Sequence, residues 1–246
     1  MRIAFLADIH ANLEALHACL ANARDSGAVR LVFLGDIVGY GADPSACLDL
    51  VQEACAEGAV AVMGNHDESV AGGRLKMSPT AELAARWTAT MLSGEQKRFL
   101  ANLPLNITDT TRLYVHASAL SPERYPYIRD VQTASESLRA TDARLTVCGH
   151  VHVPALYHIT ATGKVMSFTP DAGAPIPLSP ARRWVAVCGA VGQPRDGNPA
   201  AAYGLLDTTA NEFTYVRVPY DFETAANKIR RAGLPDTLWK RLSVGR

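Results

Sequence analysis

The sequence predicts a layered α/β fold, and three features of its 246 residues carry that prediction. Apolar β-prone runs alternate with helical runs through residue 63. A strand-rich stretch follows from residue 113. The aspartates and histidines gather where the apolar runs end instead of scattering.

Each element has its own signal. Residues 2–7 are apolar and β-prone, and residues 12–25 carry Leu13, Leu16 and Leu20 at helical spacing. Leu31-Val32-Phe33-Leu34 reads as a short buried strand. Asp43-Pro44 reads as an N-cap with proline at the first helical position, opening a helix to about residue 56. Ala59–Met63 is the third strand. This βαβαβ order argues for parallel strands in a layered domain. Residues 79–103 predict helix with Leu83, Trp87 and Met91 on one face, broken near Ser93-Gly94.

Strands are then expected at Leu113–His116, Leu145–Cys148, Ala155–Thr160, Val165–Phe168, Trp184–Cys188, Tyr203–Leu206 and Phe213–Val218. Four prolines with glycine and serine make 170–180 a loop or flap. Helices close the chain near 221–232 and 235–242. No repeat or linker interrupts it, so residues 1–246 are expected to form a single domain.

Composition narrows the function classes. Lys+Arg and Asp+Glu number 24 each, so the formal net charge is zero. A protein held on nucleic acid by phosphate neutralisation usually carries a basic excess, which argues against such a partner while leaving a local patch open. No apolar run approaches the roughly 20 residues that cross a bilayer. The first strand meets Asp8 and His10 too early for a signal peptide, so a cytoplasmic location is expected. Five scattered cysteines without a CxxC pair suggest reduced thiols, not disulfides or thiolate zinc.

The chemistry sits at strand ends: Asp8 and His10, Asp36, Asn65-His66-Asp67, His116, and His150 and His152. In open α/β sheets, the loops beyond the strand carboxyl ends form the ligand crevice. Imidazole suits zinc, manganese and iron, while carboxylate and amide oxygens suit harder divalent ions. An aspartate bridging two cations about 3.5–4 Å apart would let them acidify a water to hydroxide and clamp a phosphoryl group. Each motif alone could be a polar turn or a helix cap. Their joint occurrence favours a two-metal site.

These motifs resemble the calcineurin-like metallophosphoesterase family. DIH at 8–10, GDIVGYG at 35–41, GNHD at 64–67, VHAS at 115–118 and GHVH at 149–152 follow the family's order, and GQPRDG at 192–197 extends the match. The chain is similar to compact bacterial members. The resemblance implies an α-β-β-α sandwich with mixed central sheets and a metal site at the strand carboxyl ends. Asp8, His10 and His152 would hold one metal, Asn65, His116 and His150 a second, and Asp36 would bridge them. The cofactor would be two divalent transition-metal ions, Mn, Fe or Zn. His66 would face the leaving-group oxygen as general acid or phosphate clamp, oriented by Asp67. Ala117 replaces the family's usual glycine after the lone histidine, and Val187-Cys188-Gly189-Ala190 stands where relatives often read NPGS. Neither change removes a ligand.

Around this centre Arg195 reads equally as a turn residue or as a guanidinium for a substrate phosphate. Asn12 and Tyr40 either line the pocket or serve in capping and packing. His17 is expected to be partly buried and structural, and His158 carries no motif. Trp87, Trp184 and Trp239 are expected in the core or an interface. The predicted function is hydrolysis of a phosphodiester or phosphomonoester, with a small nucleotide-like substrate, by a metal-bridging hydroxide. Alternatives are a phosphoprotein phosphatase or a catalytically silent metal-binding scaffold for a partner protein. Homo-oligomerisation is left open.

Overall fold

The computed structural model describes residues 1–73 and 77–246. The first half runs β1 (Arg2–Leu6), α1 (Leu13–Asp25), β2 (Ala28–Phe33), α2 (Pro44–Ala56), β3 (Val60–Ala61), α3 (Asn65–Val70), α4 (Pro79–Met91) and α5 (Gly94–Ala101). There follow β4 (Asn106–Asp109), β5 (Arg112–Val115), α6 (Val131–Arg139), β6 (Leu145–Cys148), β7 (Ala155–Ile159) and β8 (Val165–Phe168). The chain ends with β9 (Pro175–Pro177), β10 (Arg183–Val187), β11 (Ala201–Asp207), β12 (Glu212–Val218), α7 (Phe222–Arg231) and α8 (Asp236–Lys240).

Two mixed sheets result, ordered β3-β2-β1-β11-β12-β9 and β4-β5-β6-β10-β7-β8. In the first sheet β1, β2 and β3 are parallel, as the alternating pattern predicted, and β11 runs antiparallel to β1. In the second, β5, β6 and β10 are parallel.

Side-chain alternation along the strands builds the layers. Ile3, Phe5 and Ala7 face Tyr114, Val147 and Ala186 of the other sheet in an inter-sheet core. Ala4 and Leu6 face the opposite way, onto Leu16, Cys19, Leu48 and Val51 of α1 and α2. Val185 and Val187 of β10 pack with Ala134 and Leu138 of α6. Helix, sheet, sheet and helix therefore stack as the resemblance implied. No helix among the described residues is long and apolar enough to cross a membrane.

Four details depart from expectation. The buried face of α4 is Ala81, Ala84, Ala85 and Thr88, while Leu83 and Met91 are 57% and 49% exposed. Small residues at helical spacing let α4 lie close to its neighbours, so the larger apolar side chains point out. Residues 175–177 of the expected flap pair with β12 as an edge strand, a position where proline's missing N–H costs no ladder bond. Asp43 precedes α2 but makes no side-chain cap bond; its carboxylate accepts instead from Lys228 Nζ at 2.9 Å. His17 lies on the exposed face of α1. Trp184 is buried as expected, its ring centre 4.7 Å from that of His158 and tilted 42° to it, whereas Trp87 and Trp239 are half-buried against the cluster of α7 and α8.

Candidate metal centre and active site

The parallel strands of both sheets end at one pole. There, β1 delivers Asp8 and His10, β2 delivers Asp36, and the short β3 leads into α3, which opens with Asn65, His66 and Asp67. From the second sheet β5 delivers His116 and β6 delivers His150 and His152. Backbone bonds lock the loops together: His10 N–H donates to Asp36 O at 2.9 Å, Gly149 N–H to His116 O at 2.9 Å, and Gly192 N–H to Asp8 O at 2.9 Å. Asp8, His10, Asp36, His150 and His152 all adopt positive φ, between 48° and 66°. Such left-handed backbone costs a non-glycine residue about 1–3 kcal/mol and concentrates at functional sites. Close approach of the loops also demands glycine: a Cβ at Gly149 would come within 2.5 Å of Asp8 Oδ2.

The side chains converge in two adjoining clusters. In one, Asp8 Oδ1 lies 3.3 Å from His152 Nε2 and 3.9 Å from His10 Nε2, and the two imidazole nitrogens are 3.1 Å apart. In the other, His116 Nε2 lies 3.1 Å from His150 Nδ1 and 3.2 Å from Asn65 Oδ1. Asp36 Oδ2 stands between them, 3.7 Å from His10 Nε2 and 3.4 Å from His116 Nε2. All seven expected ligands are therefore brought together. The other oxygens of the two aspartates are already used: Asp8 Oδ2 accepts from His150 N–H and Asp36 Oδ1 from His66 N–H, both at 2.8 Å.

This donor set fits a cation. His116 Nδ1–H donates to Leu34 O at 2.7 Å and His152 Nδ1–H to Gln193 O at 2.6 Å. A carbonyl can only accept, so the neutral rings must carry their proton on Nδ1 and turn an Nε2 lone pair inward. Those lone pairs meet carboxylate and amide oxygens, which are acceptors too, and Asp8 Oδ1 is buried with no hydrogen-bond partner among the described residues. Acceptors aimed at one another repel unless a positive charge sits among them. Groups able to hold a metal are Asp8, His10 and His152, and Asp36, His116 and His150, with a third set joining His10, Asp36 and His66.

Titration follows the same logic. Burial alone would lower His116, yet Asp36 and then Asp8 push it up to about 9. Burial likewise opposes ionisation of Asp36, but the surrounding imidazoles, His116 first, hold its carboxyl well below the usual range. Burial drives His10 and His150 well below the ordinary histidine value and His66 down to about 4. Burial and the neighbouring Asp36 charge push Asp67 up to about 7, against the pull of backbone amides.

Beside the clusters opens a cleft of about 160 Å³ lined by Asp36, Asn65, His66, His150 and His152, with Tyr40 and Arg195 on its wall. The His66 ring packs 4.3 Å from Tyr40 and 4.9 Å from His10 between ring centres. Its Nδ1 is buried without a partner among the described residues, beside Gly39, where a Cβ would come within 2.5 Å. The Arg195 guanidinium lies 5.8 Å from the Tyr40 ring centre.

One expected role is corrected and one open choice is decided. Asp67 makes no hydrogen bond to the His66 ring among the described residues: its carboxylate accepts from the backbone N–H groups of Ile37, Val38 and Gly64 at 2.9, 3.2 and 3.0 Å, tying the Asp36 loop to the turn before α3. Asn12 is absent from the cleft lining; it caps α1 through Ala15 N–H and donates to Gly192 O and Tyr220 Oη. Other residues went unnoticed in the sequence. Tyr127 stacks 4.0 Å from His150, under the Arg129 guanidinium. Gln193, buried beside the expected Arg195, takes both Arg195 and Arg241 onto one amide oxygen. Only the adjacency of Gln193 to Arg195 could have drawn attention to it.

Comparison with known proteins agrees with this geometry. The calcineurin-like phosphoesterase superfamily domain matches residues 1–211. An uncharacterized protein of Methanocaldococcus jannaschii, MJ0912, is 33% identical over 250 residues, spanning 99% of this chain and 98% of the relative. The phosphodiesterase YfcE of Escherichia coli is 27% identical over 215 residues, spanning 84% of this chain and 88% of its own. The crystal structure of a metallophosphoesterase from Sphaerobacter thermophilus superposes with a TM-score of 0.88 at 37% identity, covering 100% of this chain and 99% of the other. With its acid and imidazole clusters at the strand ends, the chain belongs to the calcineurin-like phosphoesterase superfamily and is a metal-dependent phosphoesterase.

Proposed function

We propose that the protein hydrolyses a small phosphate ester, a phosphodiester or phosphomonoester, at a centre of two divalent transition-metal ions. The observation that carries this reading is the position of Asp36 Oδ2, within 3.7 Å of His10 Nε2 in one cluster and 3.4 Å of His116 Nε2 in the other. One ion would be held by Asp8, His10 and His152, the second by Asn65, His116 and His150, with Asp36 serving both. Divalent ions there supply Lewis-acid polarisation of a phosphoryl group and acidify water.

The chain's own groups do the rest. Leu34 and Gln193 carbonyls hold His116 and His152 in the tautomer that turns Nε2 inward, as outer-shell partners of metal-binding imidazoles do. His66, in the cleft wall, holds a proton at the leaving-group oxygen. Arg195 and Tyr40 orient the substrate, the guanidinium through its fork of donors to phosphate oxygens. The cleft of about 160 Å³ and the neutral net charge favour a small substrate over a polymer.

Metal analysis of the purified protein, paired with hydrolysis of bis-p-nitrophenyl phosphate and p-nitrophenyl phosphate in Mn²⁺, tests the proposal. About two metals per chain with turnover is expected, and the preferred ester separates diesterase from monoesterase. Neither metal nor turnover would overturn it.

A further inference from the structure

The strands that end at the metal centre begin at a second cleft. Arg112 opens β5, Arg144 immediately precedes β6, and Arg182 immediately precedes β10. These three arginines line a cleft of about 250 Å³ at the far pole of the sandwich, where the two sheets part. The strands are four or five residues long. At a rise of about 3.3 Å per residue, the second sheet separates the two sites by about 15 Å.

The charge here is only partly compensated. The cleft is lined by three guanidiniums and by no carboxylate. Arg112 shares Asp109 with Arg30, so one negative charge serves two positive ones. The Nε of Arg112 is buried without a partner among the described residues. Arg144 and Arg182 make no ion pair or side-chain hydrogen bond among the described residues, and Arg182 lies 6.0 Å from the centre of the Trp184 ring. Thr111 and Ser179 add hydroxyls to the lining. In a chain of zero formal net charge, this is a concentration of donors with one shared carboxylate, Asp109, to accept from them among the described residues.

We propose that this far-pole cleft binds a small, multiply charged phosphate anion. Guanidinium forks match phosphate oxygens two at a time, and three forks around a concavity suit a polyanion better than a single carboxylate. The volume lies just below the range for drug-sized ligand pockets, about 300–1,000 Å³, and fits inorganic phosphate, pyrophosphate or a simple phosphate monoester. The site is separate from the catalytic cleft: the two share no lining residue.

Calorimetric titration with inorganic pyrophosphate tests this in the full chain. Asp36→Asn disables the metal centre, and the part of the remaining binding that depends on Arg144 and Arg182 reports the far cleft. One equivalent should bind to Asp36→Asn, and affinity should fall at least tenfold when Arg144→Gln and Arg182→Gln are added. Arg144→Lys, which keeps the charge, should bind more tightly than Arg144→Gln. In the otherwise wild-type chain, the Arg144→Gln/Arg182→Gln pair should hydrolyse bis-p-nitrophenyl phosphate within twofold of wild type, since neither residue touches the catalytic cleft. Absence of binding in Asp36→Asn, or equal binding with and without the two arginines, overturns the proposal.

Discussion

The backbone carbonyl of Gln193 accepts the Nδ1–H of His152 at 2.6 Å. The same residue's side-chain oxygen accepts from Arg195 Nη2 at 2.7 Å and Arg241 Nη1 at 3.0 Å. One buried residue thus orients an imidazole of the metal centre through its main chain and a guanidinium of the cleft wall through its side chain.

That division makes a clean experiment. Gln193→Ala keeps the carbonyl that holds His152 but frees Arg195. Metal content should be unchanged, and KM should rise by about tenfold, in line with about 1.5–3 kcal/mol for a hydrogen bond to a charged group. Steady-state kinetics with metal analysis checks it; a loss of metal would show that the side chain, too, supports the centre.

Asp36→Asn should remove hydrolysis and lower occupancy of both metals together, because a single carboxylate oxygen faces both clusters. Metal stoichiometry reads this directly. Normal occupancy of either site would contradict a bridging role.

His66→Ala should leave metal content intact while lowering the rate by about 10²–10⁴, the range for losing a proton-transfer group. Rate and metal content are measured on the same preparation. Metal lost with the imidazole would make His66 a ligand, in keeping with its inclusion in the third candidate group.

Asp109 gives a stability prediction with a defined pH sign. Its Oδ2 accepts from Arg30 Nη1 at 2.8 Å, Arg112 Nη2 at 3.1 Å and Tyr114 Oη at 2.8 Å, linking β2 of one sheet to β4 and β5 of the other. Partial burial would raise its pKa, but the Tyr114 hydrogen bond and the two guanidiniums outweigh it and hold the carboxyl below the ordinary value. A depressed folded-state pKa stabilises above the unfolded value, about 3.9, and that stability disappears as pH falls through the folded value. Urea denaturation should find Asp109→Asn less stable than wild type at pH 6, with the gap narrowing below about pH 4. A gap independent of pH would mean the carboxylate's charge is not what stabilises the sheets.

Sequence alone determined the framework of the site. Apolar β-prone runs marked β1 and β2, helical spacing marked α1, and the Asp43-Pro44 start signal marked α2, because each is a local pattern written in neighbouring residues. The aspartates, asparagine and histidines stood at strand ends, and a parallel arrangement sends those ends to one pole. Donor types and their order were thus legible before any coordinate was known.

Tertiary structure decided what depends on residues distant in the chain. His10 and His152 are 142 positions apart, and nothing local sets their 3.1 Å separation. Asp67 turned from a partner of His66 into an acceptor for three backbone amides because the Asp36 loop packs over it. Of the two readings open for Asn12, capping prevailed because its side chain is fixed by Ala15 N–H, Gly192 O and Tyr220 Oη. Residues 175–177 became a strand only because β12 offered them an edge. The α4 face turned because packing selected its alanines. Local propensity and donor chemistry are carried by short segments, whereas hydrogen-bond partners, burial and charge balance arise only when the two sheets close on one another.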